Sequence, residues 1–140
     1  MSQARALSLP DLTEGQSVVV ELSFDDAQMQ KFAELSGDFN PLHTDDAFAR
    51  SKGFRGRVVY GALLVAKISE LIGMRLPGRN SVWSSLTLDF LQPVYVDQAV
   101  QLEAVVARAS AGTGLVELKL TLRRDGRKLS RGRAEVILVP

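Results

Sequence analysis

The feature that most constrains the fold of this chain is an apolar helix, predicted at about residues 59–72 and closed by Gly73. Only Lys67, Ser69 and Glu70 interrupt its apolar interior. Because Lys67 and Glu70 lie three positions apart, they mark one narrow solvent-facing side of the helix. A helix this apolar must be buried over most of its circumference. In a chain of 140 residues, a sheet that wraps around the helix is the way to bury it.

One side of this central helix carries only small residues, because Ala62, Ala66, Ser69 and Gly73 follow one another at helical spacing. Residues three and four positions apart share a face of a helix. A stripe of this kind lets the helix approach another backbone closely.

Stretches in which apolar and polar residues alternate supply the sheet. Three of them follow the central helix and a fourth ends the chain, while a β-branched stretch lies near the start. The Asp125-Gly126 pair is a hairpin signal between the last two stretches. Together they predict an α+β fold with an antiparallel sheet of about five strands. The five stretches are residues 18–22, 82–90, 100–106, 116–122 and about 130–139.

A first helix is predicted between the early strand and Gly37, which ends it because a left-handed C-terminal position favours glycine. Ser23 and Asp26 resemble a capping box at its start. Thr44 is the expected cap of the next, shorter helix. The apolar face of the first helix is expected to hold Ala27, Met29, Phe32, Ala33 and Leu35.

The chemistry visible in the sequence lies around His43, the only histidine of the chain. Asp38 lies five positions upstream, and Asn40-Pro41 separates the two. A residue before proline is pushed out of helical geometry and Asn tolerates tight turns, so a compact loop is expected. In such a loop a carboxylate and an imidazole can point into one pocket, which suggests acid/base chemistry. Asp38 could instead cap a local turn.

Composition indicates one domain over residues 1–140 and excludes several kinds of function. The 17 basic and 16 acidic residues argue against a nucleic-acid partner. The absence of cysteine rules out disulfides and thiolate sites. No segment has the character of a signal peptide or a membrane span, so a cytoplasmic protein without membrane contact is expected. The basic loop at residues 50–57 is either solvated or contacts an anionic ligand.

The order of elements and the histidine motif together resemble a known family. Strand, helix, loop, buried helix and then four strands is the order of the hotdog fold. The family pattern Asp-x-Asn-Pro-x-His, followed by a His-Gly pair that opens the central helix, belongs to the MaoC-like, (R)-specific enoyl-CoA hydratases. This chain has Tyr60-Gly61 at the position of that pair. The matching run is Asp38-Phe39-Asn40-Pro41-Leu42-His43, with Asp45 after it.

The resemblance implies a hydro-lyase that adds water reversibly to trans-2-enoyl thioesters, giving (R)-3-hydroxyacyl thioesters without a metal or cofactor other than the coenzyme A of the substrate. By the same resemblance, Asp38 and His43 hold and activate the water, and the backbone N–H of Gly61 binds the thioester carbonyl. Helix N-terminal amides have no intrahelical partners, which suits them to this task.

Further residues are expected to contribute to the site. Asn40 would hold the turn, Ser69 would hydrogen-bond near the catalytic loop or satisfy its own helix, and Tyr60 would lie at the substrate. Relatives have a histidine at the position of Tyr60, and a tyrosine there is not expected to make the hydrogen bond of that histidine. Three exposed basic residues, Lys52, Arg55 and Arg79, could meet the phosphates of coenzyme A.

Three functions therefore compete: a hydratase of acyl-CoA, a 3-hydroxyacyl dehydratase that acts on acyl carrier protein, and a non-catalytic module that binds acyl thioesters. The third would keep the fold and lose the Asp/His pair, which this chain retains. Acyl length and pathway, including fatty acid metabolism, are left open. Because the predicted sheet has open edges, a homodimer is expected, with acyl chains held between its subunits.

Overall fold

The computed structural model describes residues 2–140, which form a short 3-10 helix (Leu9–Asp11), one strand, four consecutive α-helices and then four further strands. None of the helices within these residues is long and apolar enough to cross a bilayer. The helices are α1 (Asp26–Ser36), α2 (Pro41–Thr44), α3 (Asp46–Ser51) and α4 (Gly61–Met74). The strands are β1 (Ser17–Leu22), β2 (Ser81–Phe90), β3 (Val100–Ala109), β4 (Leu115–Arg124) and β5 (Arg127–Leu138).

The five strands form one antiparallel sheet in the order β1-β3-β4-β5-β2, as the alternating pattern predicted. Its register stacks the apolar positions of neighbouring strands on one face, because Leu102 faces Leu122 and Ala104 faces Leu120. All four of these side chains are buried. The Asp125-Gly126 pair forms the hairpin between β4 and β5, as predicted.

Helix α4 lies across this apolar face and buries one side against it. Leu63, Leu64, Ile68, Leu71 and Ile72 are the buried residues of α4. Each large aliphatic side chain that is removed from water in this way stabilises the fold by about 2 kcal/mol. The predicted arrangement, a sheet wrapped around a central helix, is confirmed.

The opposite side of α4 departs from the prediction. Ala62, Ala66 and Ser69 are exposed in the single chain, and only Gly73 of the small-residue stripe is partly covered. The expectation that α4 is buried over most of its circumference is therefore wrong for this side. The five strands curve around one face of the helix, and no element of residues 2–140 covers the other.

The bounds of α4 also differ from the predicted 59–72. Val59 donates its N–H to the carbonyl of Val94, and Tyr60 has an extended ψ of 131°, so the helix cannot start before Gly61. This pairing leaves a single bridge between Val58 and Tyr95, and residues 94–96 do not extend β2. At the other end α4 continues through Gly73 to Met74, because glycine is tolerated inside a helix that packing stabilises.

Three local predictions about the helix ends and faces need correction. The capping box of α1 is formed by Asp25 and Gln28 rather than by Ser23 and Asp26. Asp45, not Thr44, caps α3 by accepting the N–H of Phe48. Leu35 is 85% exposed and does not belong to the apolar face of α1. Gly37 ends α1 in the predicted left-handed conformation, with φ of 75°.

We predict that Gly132→Ala destabilises the sheet. Gly132 pairs with β2 and β4, and a methyl group there would overlap the carbonyl oxygen of Thr87 and stand 3.0 Å from the Cα of Leu88. Both obstacles are backbone atoms, so we expect a loss of about 1–3 kcal/mol in the free energy of unfolding, measured in urea. Gly112→Ala is the control, since a Cβ there meets nothing within 4 Å. Equal stability of the two variants would contradict the prediction.

Candidate active site

The segment that follows α1 is held by a chain of local hydrogen bonds. The Ser36 hydroxyl accepts the N–H of Asp38 (3.1 Å), and Asp38 Oδ1 accepts the N–H of Asn40 (3.0 Å). Asn40 Oδ1 then accepts the N–H of Leu42 (3.0 Å) and so caps the one-turn helix α2. The predicted compact loop is thus only half correct: Pro41 at the first helical position starts a short helix, and this helix carries His43.

The two oxygens of the Asp38 carboxylate have different environments. Oδ1 holds the turn by accepting from Asn40, which is the local role that the sequence left open for this residue. The other oxygen makes no hydrogen bond within residues 2–140, and the side chain is exposed. One oxygen therefore fixes the orientation of the carboxylate while the other stays available to a water or a ligand.

His43 is fixed through one ring nitrogen. Its Nδ1 lies 2.6 Å from the carbonyl oxygen of Val58, in the segment that leads into α4. A carbonyl can only accept, so Nδ1 carries the proton and donates it. In the neutral imidazole the lone pair is then on Nε2. The partly buried ring is therefore oriented as a proton acceptor on its outer nitrogen.

Tyr60 joins the two residues. Its hydroxyl donates to the main-chain carbonyl of Asp38 (2.8 Å), and its ring stacks on His43 with centroids 4.1 Å apart and an interplanar angle of 29°. Phe32 packs against the same ring at 4.8 Å. At 2% exposure Tyr60 is sealed from solvent. The expectation that its side chain contacts substrate does not fit this burial, and the ring supports Asp38 and His43 instead.

The environment of Tyr60 also keeps its proton in place. Burial, and secondarily the negative charge of Asp38, raises the pKa of the Tyr60 phenol above its usual value of 10.0. The hydroxyl therefore remains a donor to the Asp38 carbonyl throughout the neutral range.

Gly61 begins α4 directly after Tyr60. Tyr60 provides no side-chain cap, and the Gly61 N–H has no backbone partner within residues 2–140. An unpaired amide at a helix N-terminus is a preorganised donor for an oxyanion. The ring of Phe90 covers Gly61 so closely that a Cβ there would lie 2.9 Å from its Cζ. No signal in the sequence pointed to Phe90, because this contact joins the end of β2 to the start of α4.

The remaining predicted site residues do not gather here. Ser69 lies eight positions after Gly61, about 12 Å along the helix axis, and its hydroxyl makes no hydrogen bond within residues 2–140. Arg79 follows the opposite end of α4, where its N–H bonds to the carbonyl of Arg5. The Lys52 amino group rests over the ring of Phe48 at 5.2 Å.

Arg55 is the one predicted phosphate contact that lines a large cleft. It shares this cleft with Arg124 and Arg127, which flank the Asp125-Gly126 turn of the hairpin. Strand pairing brings the hairpin beside the connection between β2 and β3, a contact between distant segments that no local pattern of residues indicates.

Comparisons with known proteins show the family to which the chain belongs. Residues 10–125 match the MaoC like domain family. The chain is 34% identical over 134 residues to the (R)-specific enoyl-CoA hydratase of Aeromonas caviae, covering 96% of this chain and 100% of that one. It is 33% identical over 107 residues to the 3-hydroxybutyryl-CoA dehydratase of Methylorubrum extorquens, covering 76% and 68%.

Solved structures show the same fold. The R-hydratase PhaJ1 of Pseudomonas aeruginosa superimposes with a TM-score of 0.90 at 30% identity, over 98% of this chain and 88% of that one. The (R)-hydratase of A. caviae gives 0.87 at 35% identity, over 91% and 98%. The sheet and its central helix thus form a hotdog fold. The chain belongs to the MaoC-like family of hydratases and dehydratases.

We predict that Tyr60→Phe flattens the alkaline loss of stability. Because the pKa of Tyr60 is higher in the folded than in the unfolded state, the unfolded chain binds fewer protons than the folded chain once the pH passes about 10. The contribution of Tyr60 to stability is complete below that pH and is lost as the pH rises through the folded-state value. Urea unfolding at a series of pH values should show a shallower decline for Tyr60→Phe than for the wild type. Parallel declines would contradict the burial argument.

Proposed function

We propose that the chain catalyses the reversible addition of water to trans-2-enoyl-CoA, giving (R)-3-hydroxyacyl-CoA. One observation carries the proposal: a single buried ring, Tyr60, contacts both Asp38 and His43 and is followed at once by the unpaired amide of Gly61. A carboxylate, an imidazole and an oxyanion donor are the groups that this reaction requires. The activities of the hydratase relatives support the same reaction.

In the proposed reaction, the free oxygen of Asp38 and Nε2 of His43 hold one water. The water oxygen attacks C3 of the enoyl thioester while its proton passes to the Asp38/His43 pair. A proton is then delivered to C2, so that one molecule of water is added across the double bond. The hydrogen bond from Nδ1 to the Val58 carbonyl stabilises the imidazolium whenever His43 carries the extra proton.

Gly61 has the complementary role. Attack at C3 moves negative charge onto the thioester oxygen, and the Gly61 N–H is fixed at the start of α4 to donate to it. A preorganised donor of this kind typically lowers the barrier by about 3 kcal/mol. Since each step is a proton transfer or the stabilisation of an enolate, the proposal includes no metal or cofactor beyond the coenzyme A of the substrate.

A second candidate function is dehydration of 3-hydroxyacyl thioesters on acyl carrier protein. The mitochondrial 3-hydroxyacyl-[acyl-carrier-protein] dehydratase of Arabidopsis thaliana is 36% identical over 77 residues, covering 55% of this chain and 45% of that one. The chemistry is the same reaction in reverse. The two candidates differ in the handle attached to the thioester. A non-catalytic thioester-binding module fits less well, because such a module would not need the Asp38/His43 pair that this chain retains.

We predict that Asp38→Asn and His43→Gln each abolish most hydration of crotonyl-CoA, followed as loss of the enoyl absorbance. Asn at position 38 can still accept the Asn40 N–H, so the turn survives and the carboxylate alone is lost. Removing a positioned acid/base group costs about 10²–10⁴-fold in rate. The expected effect is on kcat, with KM changed little.

Glu34→Gln is the matched control, because Glu34 is an exposed carboxylate near the end of α1 and should leave the rate unchanged. A wild type and an Asp38→Asn variant that are equally inactive on crotonyl-CoA would favour the non-catalytic module. Equal activity of the two would remove Asp38 from the mechanism. The configuration of the product, resolved by chiral chromatography, tests the (R) assignment.

We also propose that the chain acts as a homodimer. The outer edge of β2 is unpaired in the single chain, and Val82, Phe90 and Leu91 are exposed along it or just beyond it. The exposed small residues of α4 would allow a second helix to approach closely. Phe39, beside Asp38, is 61% exposed. A second copy would cover these surfaces and hold the acyl chain between subunits.

Sedimentation at micromolar concentration should therefore give a dimer, and Ala66→Arg should give a monomer with reduced activity. An arginine at this position would place a charge where two helices meet. Gln30→Arg adds the same side chain to an exposed position on α1 and should leave the dimer intact. A stable wild-type monomer would be the decisive contrary result.

A further inference from the structure

We propose that the cleft between the β4–β5 hairpin and the β2–β3 connection binds the phosphate groups of the coenzyme A handle. This inference rests on the proposed function, because it names the handle of the same thioester substrate. It replaces the earlier set of Lys52, Arg55 and Arg79 with a set of arginines that one cleft brings together.

The cleft has a volume of about 450 Å³ and polar walls. Arg55 comes from the connection before α4, and Arg124 and Arg127 come from the two sides of the hairpin. The other lining residues are Gln92, Pro93, Tyr95, Gln98, Asp125 and Leu129. Three arginines from two parts of the chain thus line one concave space.

Positive charge in this cleft is not neutralised by the protein. Within residues 2–140, neither Arg55 nor Arg127 has a carboxylate within ion-pair distance. Arg124 has only a loose contact with Asp125, at 3.8 Å. Three arginines outside the cleft are paired: Arg57 with Asp26 and Asp46, Arg123 with Glu103, and Arg131 with Asp89. Six further arginines make no ion pair within residues 2–140, but none of them lines this cleft. The unpaired guanidinium groups in the cleft therefore attract an anion.

Two of the arginines are held in place before any ligand binds. The Arg55 guanidinium lies over the ring of Tyr95 at 4.8 Å, and the Tyr95 hydroxyl accepts the Arg55 N–H at 3.3 Å. Arg124 donates to the carbonyl of Ala99 at 3.3 Å. A guanidinium offers paired donors that match the oxygens of a phosphate, and less entropy is lost when it is already oriented.

The segment from Phe90 to Tyr95 connects the cleft to the reacting groups. Phe90 packs on Gly61, and Tyr95 bridges Val58, whose carbonyl holds His43. Between them, the N–H groups of residues 91 and 92 bond to the carbonyl of Leu129 in the cleft wall. At about 3.4 Å per residue, the segment spans less than about 17 Å, a distance that a flexible pantetheine arm can bridge.

The shape of the cleft favours a small molecule over a protein surface. Small-molecule sites are concave and typically occupy about 300–1,000 Å³, whereas the recognition of a carrier protein needs a broad surface patch. The cleft falls within the first range. We therefore assign it to the phosphates of coenzyme A rather than to acidic side chains of a carrier protein.

The test is calorimetric binding of free coenzyme A and of adenosine 3′,5′-bisphosphate to the full chain. Arg127→Gln should weaken both by about fivefold, the effect of losing one partly exposed charge-assisted contact. Lys128→Gln removes the same charge one position away, on a residue that lines a different surface, and should change neither affinity. Equal effects of the two variants would point to general attraction of the anion by net charge and would overturn the assignment.

Asp125→Asn should act in the opposite direction. Among residues 2–140, Asp125 contributes the only carboxylate that lines the cleft, so its removal should tighten binding of coenzyme A. Asn tolerates the positive φ of 50° at this position, so the hairpin is preserved. Unchanged or weaker binding in this variant would count against the cleft.

Kinetics separate this inference from the proposed function. Arg127→Gln should raise KM for crotonyl-CoA without changing kcat. On crotonyl-pantetheine, which lacks the phosphates bound in the cleft, both kcat and KM should equal those of the wild type. If the enzyme hydrates crotonyl-CoA but Arg127→Gln and the wild type have the same KM, the assignment of the cleft is overturned and the proposed hydratase function stands. Binding of coenzyme A that depends on Arg127, without any hydration, would overturn the function and leave the cleft. A preference for carrier-protein thioesters that ignores Arg127 would also overturn the assignment.

Discussion

Burial of one side of α4 against the sheet is the constraint on which the candidate site depends. The buried leucine and isoleucine side chains fix where the helix lies, and its first turn then fixes Tyr60 and Gly61. The preceding residues are pinned by strand-like bonds, since Val59 pairs with Val94 and the Val58 carbonyl holds His43. Apolar packing thus sets the positions of polar groups that could not hold themselves in place.

Tyr60 gives this chain its own version of the family site. Where the family pattern has histidine, the phenol reaches the main chain of Asp38 and its ring stacks on His43. Both contacts need the ring to be buried, and burial in turn keeps the hydroxyl protonated as a donor. The substitution therefore exchanges a polar side chain at the start of α4 for a support beneath the two residues proposed to react.

Two surfaces of the single chain have properties that suit a binding partner, and a partner is proposed for each. The small-residue side of α4 and the edge of β2 are exposed apolar or unpaired surfaces, which suit a second copy of the chain. The cleft with Arg55, Arg124 and Arg127 has surplus positive charge, which suits phosphate. In the proposed assembly, the first partner completes the acyl pocket and the second anchors the handle of the same substrate.

The sequence by itself determined the periodic elements and the local motif. Alternation predicted the strands, apolar content predicted the central helix, and the run from Asp38 to His43 predicted the candidate pair, because each signal lies within a few neighbouring residues. The start of α4 and the role of Tyr60 were decided by tertiary structure. Those features depend on contacts between distant segments, such as Val59 with Val94 and Tyr60 with Asp38. The cleft belongs to the same group, since only the pairing of strands brings Arg127 toward Arg55.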